Sequence, residues 1–148
     1  MHLFDLLTIV CVVSMVGTEF TISAFIDPAL AELDTETWSR TVPVLAWRMG
    51  RVMPFWYFLG LLAIGAEAYF RRNESARLWI DIALLLWAIA IVYSITVLVP
   101  INNRITKISA HAVSSEIEDH RRWDILHRWR VVLLVVAAIC LLSGILIV

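Results

Sequence analysis

Four long apolar runs constrain this chain more than any other feature. They lie at roughly 3–25, 52–70, 78–99 and 131–148. Each approaches the about 20 mostly apolar residues needed to cross the hydrocarbon core of a bilayer. Backbone groups in lipid must pair internally, so a spanning run is a helix or a strand of a closed barrel. These runs are continuous rather than alternating, which excludes the barrel. Composition agrees, since 61% of the 148 residues are hydrophobic and 17% charged, against about 45–50% and about 25% in a soluble domain. The expectation is a single all-α domain over 1–148. It is an up-and-down bundle of four transmembrane helices, with short interfacial helices in the loops. The bilayer is then the first partner, and the chain is a multi-pass protein of the cell membrane.

The charges and thiols narrow the function. A formal net charge of −1 offers no basic face for nucleic acid. The two cysteines, Cys11 and Cys140, each fall inside a run and form no Cys-x-x-Cys pair. That disfavours thiol–disulfide chemistry and leaves them as small buried apolar residues. The N-terminus has no basic stretch and Glu19 breaks the first run, so the first span is expected to stay attached rather than serve as a cleaved signal.

Glu19 is the deepest ionisable group. It lies about seven residues before the end of the first run, roughly 10 Å below the interface. A carboxyl at that depth has to face the bundle and find a partner. Asp27-Pro28 is expected to end this helix, because proline disfavours helix in the residue before it. Residues 35–51 read as a short interfacial helix broken at Pro43, with Trp38, Trp47, Arg48 and Arg51 at the headgroup level. Pro54 suits the first turn of the second span. The brief turn from Arg71 to Arg77 makes the second and third helices antiparallel neighbours, and sets Glu67 and Asp81 among three arginines for ion pairing. Tyr93, Ser94 and Thr96 close the third run. Pro100 is expected to stop that helix, ahead of Asn102, Asn103 and Arg104.

The fourth helix starts before its span. At about 100° per residue, Glu116, His120, Trp123, His127 and Arg130 fall within about 80° of one another. A solvated charged face needs no tryptophan at its middle, so this stripe is a candidate site. In an up-and-down bundle the first-to-second and third-to-fourth loops share one end. Glu19, Trp56, Tyr93, Asn102, Asn103, Arg104, Trp123, His127 and Arg130 then gather there. That end holds nine of the twelve Lys and Arg residues, so the positive-inside bias places both loops in the cytoplasm.

Three short motifs together resemble one family. They are Gly17-Thr18-Glu19-Phe20, Val99-Pro100-Ile101-Asn102-Asn103 and Trp123…His127…Arg130. They are similar to those of anthrone oxygenase-like proteins, small four-helix membrane proteins. The Pro-x-Asn-Asn and Trp…His…Arg motifs are the most specific part. What the resemblance implies is oxygenation of an anthrone to an anthraquinone, that is, oxidation of a lipophilic, phenolic or polyketide-type aromatic compound by dioxygen.

Such a reaction needs a base, donors for the resulting oxyanion and a surface for a flat ring. His127 is the candidate base, since an unperturbed imidazole titrates near working pH. Glu19 would orient it or relay its proton. Arg130, Asn102 and Asn103 are candidate oxyanion donors. Trp123 and Trp56 are candidate stacking surfaces, with Tyr93 and Arg104 as further substrate contacts. No flavin, haem or nucleotide motif is present, so no organic cofactor is expected. A bound metal has weaker support, chiefly Glu116 and His120 four residues apart, because paired Glu-x-x-His motifs are missing. The competing reading is a non-enzymatic membrane accessory or assembly protein whose polar cluster is structural or a partner surface. A proton or solute carrier ranks last, since only Glu19 approaches the midplane. Nothing in the sequence specifies an oligomer.

Overall fold

The computed structural model describes residues 2–74, 76–107 and 114–146, the side chains of 114–116 excepted. Among these residues it is all helix and turn. The four long helices are α1 (Leu3–Ala31), α2 (Thr35–Phe70), α3 (Arg77–Ile105) and α4 (Ser114–Leu146). All four are long and apolar enough to cross a membrane. They form a ring in chain order, with α4 closing against α1 and the α3–α4 seam the most extensive. The short turns between α1 and α2 and between α2 and α3 leave only an up-and-down arrangement.

Apolar residues occupy both the inside and the outside of this ring. Val12, Met15, Ile64, Ile80, Trp87 and Leu134 are fully buried between the helices. Phe55, Phe58, Leu85, Val92 and Ile139 are exposed on the exterior. An apolar surface on every helix suits lipid, as in a multi-pass membrane protein. Close approach of α2 and α3 depends on Gly60. A Cβ there would come within 2.5 Å of the Trp87 ring, whose indole N–H donates to the Tyr57 carbonyl at 3.0 Å.

The prolines do not end helices as expected. α1 runs past Pro28, and α3 runs past Pro100. The expected interfacial helix at 35–51 is the first part of α2, which continues for 36 residues through Pro43 and Pro54. Proline lacks an amide hydrogen, and its ring crowds the carbonyl four residues back. In α1 and α3 a widened π-turn precedes the proline, at Ile22–Ile26 and Ser94–Leu98. Asp27 N–H donates to Ile22 O, and Val99 N–H donates to Ser94 O. Each π-turn absorbs one extra residue.

That extra residue turns side chains toward the bundle. On a regular helix, Glu19 and Asp27 would sit about 80° apart, and with one residue absorbed about 20° apart. The same spacing relates Ser94 to Asn102 on α3. The start of α2 is fixed by Asp34, whose carboxylate accepts from the amides of Glu36 and Thr37, both at 3.0 Å. At the opposite end, Arg71 donates to Asp5, Glu67 and Glu74 at 3.0, 3.2 and 2.8 Å. Arg77 pairs with Asp81 at 3.0 Å. The expected ion pairing of Glu67 and Asp81 is present, and Asp5 of α1 joins it.

Candidate functional site

Glu19 is the hub of a buried polar network that touches all four helices. Its side chain is 1% exposed. The Tyr57 hydroxyl on α2 donates to Oε1 at 3.0 Å, and Arg130 Nη2 on α4 donates to Oε2 at 2.7 Å. His127 Nε2, also on α4, lies 2.7 Å from the same Oε2. Arg130 reaches α3 as well, where Nη1 donates to Ser94 Oγ at 3.1 Å. The Arg130 guanidinium also sits over the Tyr57 ring, 5.4 Å from its centroid.

Proton positions follow from this geometry. Both oxygens of an ionised Glu19 accept, so His127 carries its hydrogen on Nε2, the nitrogen facing Glu19. In a neutral ring Nδ1 is then a bare lone pair. Nδ1 is buried without a hydrogen-bond partner, 3.6 Å from Asp27 Oδ2. A carboxylate that holds one imidazole nitrogen and leaves the other free is the arrangement of a histidine base.

Glu19, Asp27, His127 and Arg130 line one cavity of about 50 Å³, at the end of the bundle where α1 meets α2 and α3 approaches α4. Its polar wall holds Glu19, Asp27, Asn102, His120, His127 and Arg130. Trp123 and the side chains of Val42, Met49, Met53 and Ile105 close the apolar side. The Trp123 ring meets His127 edge-on, at 4.5 Å between centroids. Asn102 fits because Gly50 faces it: a Cβ on Gly50 would come within 3.1 Å of Asn102 Nδ2. That amide donates a long bond, 3.4 Å, to the Ala46 carbonyl.

The structure thus brings together Glu19, Asn102, His120, Trp123, His127 and Arg130, and separates them from the other described sequence candidates. Because α3 continues past Pro100, Asn102 and Asn103 are about 100° apart, and Asn103 faces outward. Arg104 is exposed and forms a two-pronged bond with Asp119, at 2.7 and 3.1 Å. The Tyr93 hydroxyl donates to the Leu126 carbonyl at 3.3 Å. Trp56 falls well inside α2 because that helix starts at Thr35, and its indole donates to the Cys11 carbonyl at 3.2 Å. The carbonyl partners of Tyr93 and Trp56 hold both rings at helix seams. Glu116 lies on α4, and its side chain, like all of His111, falls outside the described residues.

Four participants were not singled out from the sequence. Asp27 was read only as a helix end, and Tyr57 and Ser94 sit inside apolar runs. Asp124 stands four residues after His120, with its Oδ1 3.7 Å from His120 Nδ1. Helical spacing from His120 was the available signal, and it points toward Asp124 as well as Glu116.

No curated protein and no solved structure matches this chain. A family model described as anthrone oxygenase matches residues 43–140, about two-thirds of the sequence. Asn102, His120, Trp123, Asp124, His127 and Arg130 fall within the match, while Glu19 and Asp27 precede it. By that match the chain belongs to the anthrone oxygenase family.

Proposed function

We propose that this protein is a membrane-embedded oxygenase acting on an electron-rich, lipophilic aromatic compound of the anthrone or phenol type. The observation that carries the reading is His127. It is a fully buried imidazole in the cavity wall, held at Nε2 by Glu19, and its Nδ1 has no hydrogen-bond partner. Membership of the family supports the reaction class. Nδ1 takes a proton from the activated CH₂ of the substrate. Arg130 Nε, buried without a partner, and Asn102 Nδ2 receive the oxyanion. The carbanion then reacts with dioxygen, one oxygen atom becoming the new carbonyl and the other leaving as water with the two hydrogens lost from carbon. No organic cofactor is required by this sequence of events. Trp123 supplies the flat surface. The substrate enters from the bilayer, and the loops at this end face the cytoplasm.

The cavity volume sets a condition. About 50 Å³ is room for roughly three or four water molecules, so a tricyclic substrate requires the flexible side chains of Met49 and Met53 to move aside. The same small volume favours the second reading, a membrane accessory protein whose network is structural. Oxygen uptake and quinone absorbance, with an anthrone and the protein in detergent, separate the two. The oxygenase reading expects turnover well above autoxidation in detergent alone, with Glu19→Gln and His127→Gln impaired. A rate equal to the protein-free control removes it.

A further inference from the structure

Beside the Glu19–His127 pair is a second constellation that the proposed reaction does not use. Asp27 from α1 and His120 and Asp124 from α4 each present one ligand atom, all within 4.8 Å of one another. Their side chains are 3%, 9% and 15% exposed. Asp27 Oδ2 and Asp124 Oδ1 are buried without a hydrogen bond, and the neighbouring imidazole nitrogens, His127 Nδ1 and His120 Nδ1, stand off at 3.6 and 3.7 Å. Two carboxylates this close together and shielded from water, each with an oxygen that makes no hydrogen bond, call for a cation. Arg130 cannot serve, because it is committed to Glu19 and Ser94. We propose that Asp27, His120 and Asp124 form a binding site for one divalent first-row transition-metal ion.

The geometry supports this beyond the charge. Ligand atoms about 2.1 Å from one ion lie about 3 Å apart at right angles and about 4 Å apart when opposed. His120 Nδ1 lies 3.7 Å from Asp124 Oδ1, inside this range. One imidazole and two carboxylates suit manganese, iron or zinc, whereas an all-oxygen set would suit calcium or magnesium. The His120 ring is braced edge-on by Trp38, 5.4 Å away. Three protein ligands leave further coordination positions open.

Its surroundings give the site an entrance and a connection. His120 and Asp124 also line an outer cleft of about 540 Å³, while Asp27 and His120 line the inner cavity. The ion would therefore sit in the wall between exterior and cavity, reachable from outside. Asp27 Oδ2 faces His127 Nδ1 at 3.6 Å. Asp27 would then be both a metal ligand and a neighbour of His127, which ties metal occupancy to the surroundings of that imidazole. The site does not depend on the oxygenase reading.

The test uses the full chain in detergent, stripped with EDTA, desalted and loaded separately with Mn²⁺, Zn²⁺ or, without oxygen, Fe²⁺. Elemental analysis after a second desalting is expected to find about one ion per chain, with a higher melting temperature than in EDTA. Asp124→Asn and His120→Gln are expected to bind at least about 10-fold more weakly, and His127→Gln to show a smaller loss. Asp124 is partly exposed, so the Asp124→Asn protein should melt in EDTA like wild type, which shows that it is folded. Asp119→Asn, on the same helix outside the cluster, should bind as wild type does. Retention of less than about a tenth of an equivalent by wild type, or equal binding by wild type and Asp124→Asn, overturns the proposal. Bound metal without anthrone turnover would keep this site and remove the oxygenase. Turnover unaffected by EDTA, with no retained metal, would do the reverse.

Discussion

The two ends of this bundle both bury charge, in different ways. At the end near both termini, one cation, Arg71, gathers the carboxylates of Asp5, Glu67 and Glu74. The three partners come from the start of α1, the last turn of α2 and the α2–α3 turn, and the cluster borders an open cleft. At the other end, the Glu19 network takes one group or more from each of the four helices. That end also leaves His127 Nδ1, Asp27 Oδ2, Asp124 Oδ1 and Arg130 Nε without partners, against Glu67 Oε1 in the Arg71 cluster. The first arrangement pins neighbouring segments together. The second keeps unmet hydrogen-bonding capacity around a cavity, which costs stability and is expected where a ligand supplies what is missing.

The largest effect that tests this contrast is on turnover. His127→Gln should lower oxidation of an anthrone by about 10²–10⁴-fold, the usual share of a positioned general base. Arg71→Met should leave turnover near wild type. If Arg71→Met proved the more damaging to the rate constant, the two ends would have to exchange roles. The same Arg71→Met chain should lose about 3 kcal/mol of stability or more, read from melting in detergent, because three carboxylates lose their shared cation.

Glu19 sharpens the comparison, since it is both hub and candidate orienter. Glu19→Gln should remain folded at a cost of about 1–3 kcal/mol, because a carbonyl oxygen still accepts from Arg130. Glu19→Leu should cost more, since the Arg130 guanidinium stays buried with no anion. Equal melting temperatures for wild type and both variants would mean that the network holds nothing together. Gly60→Ala tests the α2–α3 packing that lies one turn from Tyr57. The new Cβ would press into the Trp87 ring, for about 1–3 kcal/mol of destabilisation with little change in the KM for the anthrone.

Most of the architecture was legible because lipid leaves few choices. Four long apolar runs without alternation can only be helices, and their short connections settle the order around the ring. The α4 stripe was legible through periodicity, and Glu19 because a deep carboxyl has to face inward. The helix ends were not. Pro28, Pro43, Pro54 and Pro100 all read as boundaries, and all four lie within helix. The π-turns before Pro28 and Pro100 accommodate the ring by widening the ladder, and neither leaves a mark in hydropathy. With Pro28 and Pro100 taken as helix ends, Asp27 reads as a terminus and Asn102 and Asn103 read as one group, whereas each widened turn carries the helix on and sets the direction of the residues beyond it. Tyr57 was hidden for another reason. A tyrosine in an apolar run reads as core or as interface, and only its distance from Glu19 distinguishes a network member.

The smallest expected effect comes from a carboxylate at the cavity end that belongs to neither cluster. Asp34 is exposed and caps α2, and bonds from the Thr37 hydroxyl and amide hold its pKa below the usual carboxylate value. A group whose folded pKa is depressed contributes stability above its unfolded pKa, and that contribution fades as pH falls through the folded value. Wild type should therefore melt slightly above Asp34→Ala at pH 6. Much of that gap should close in strong acid, once the carboxylate is protonated in both the folded and the unfolded chain. Anthrone turnover should be the same in both proteins at pH 7, since the cap lies outside the cavity. A gap that widened on acidification would mean that Asp34 is not held ionised by the start of α2. A loss of turnover would mean that the cap and the cavity are coupled through the first turns of that helix.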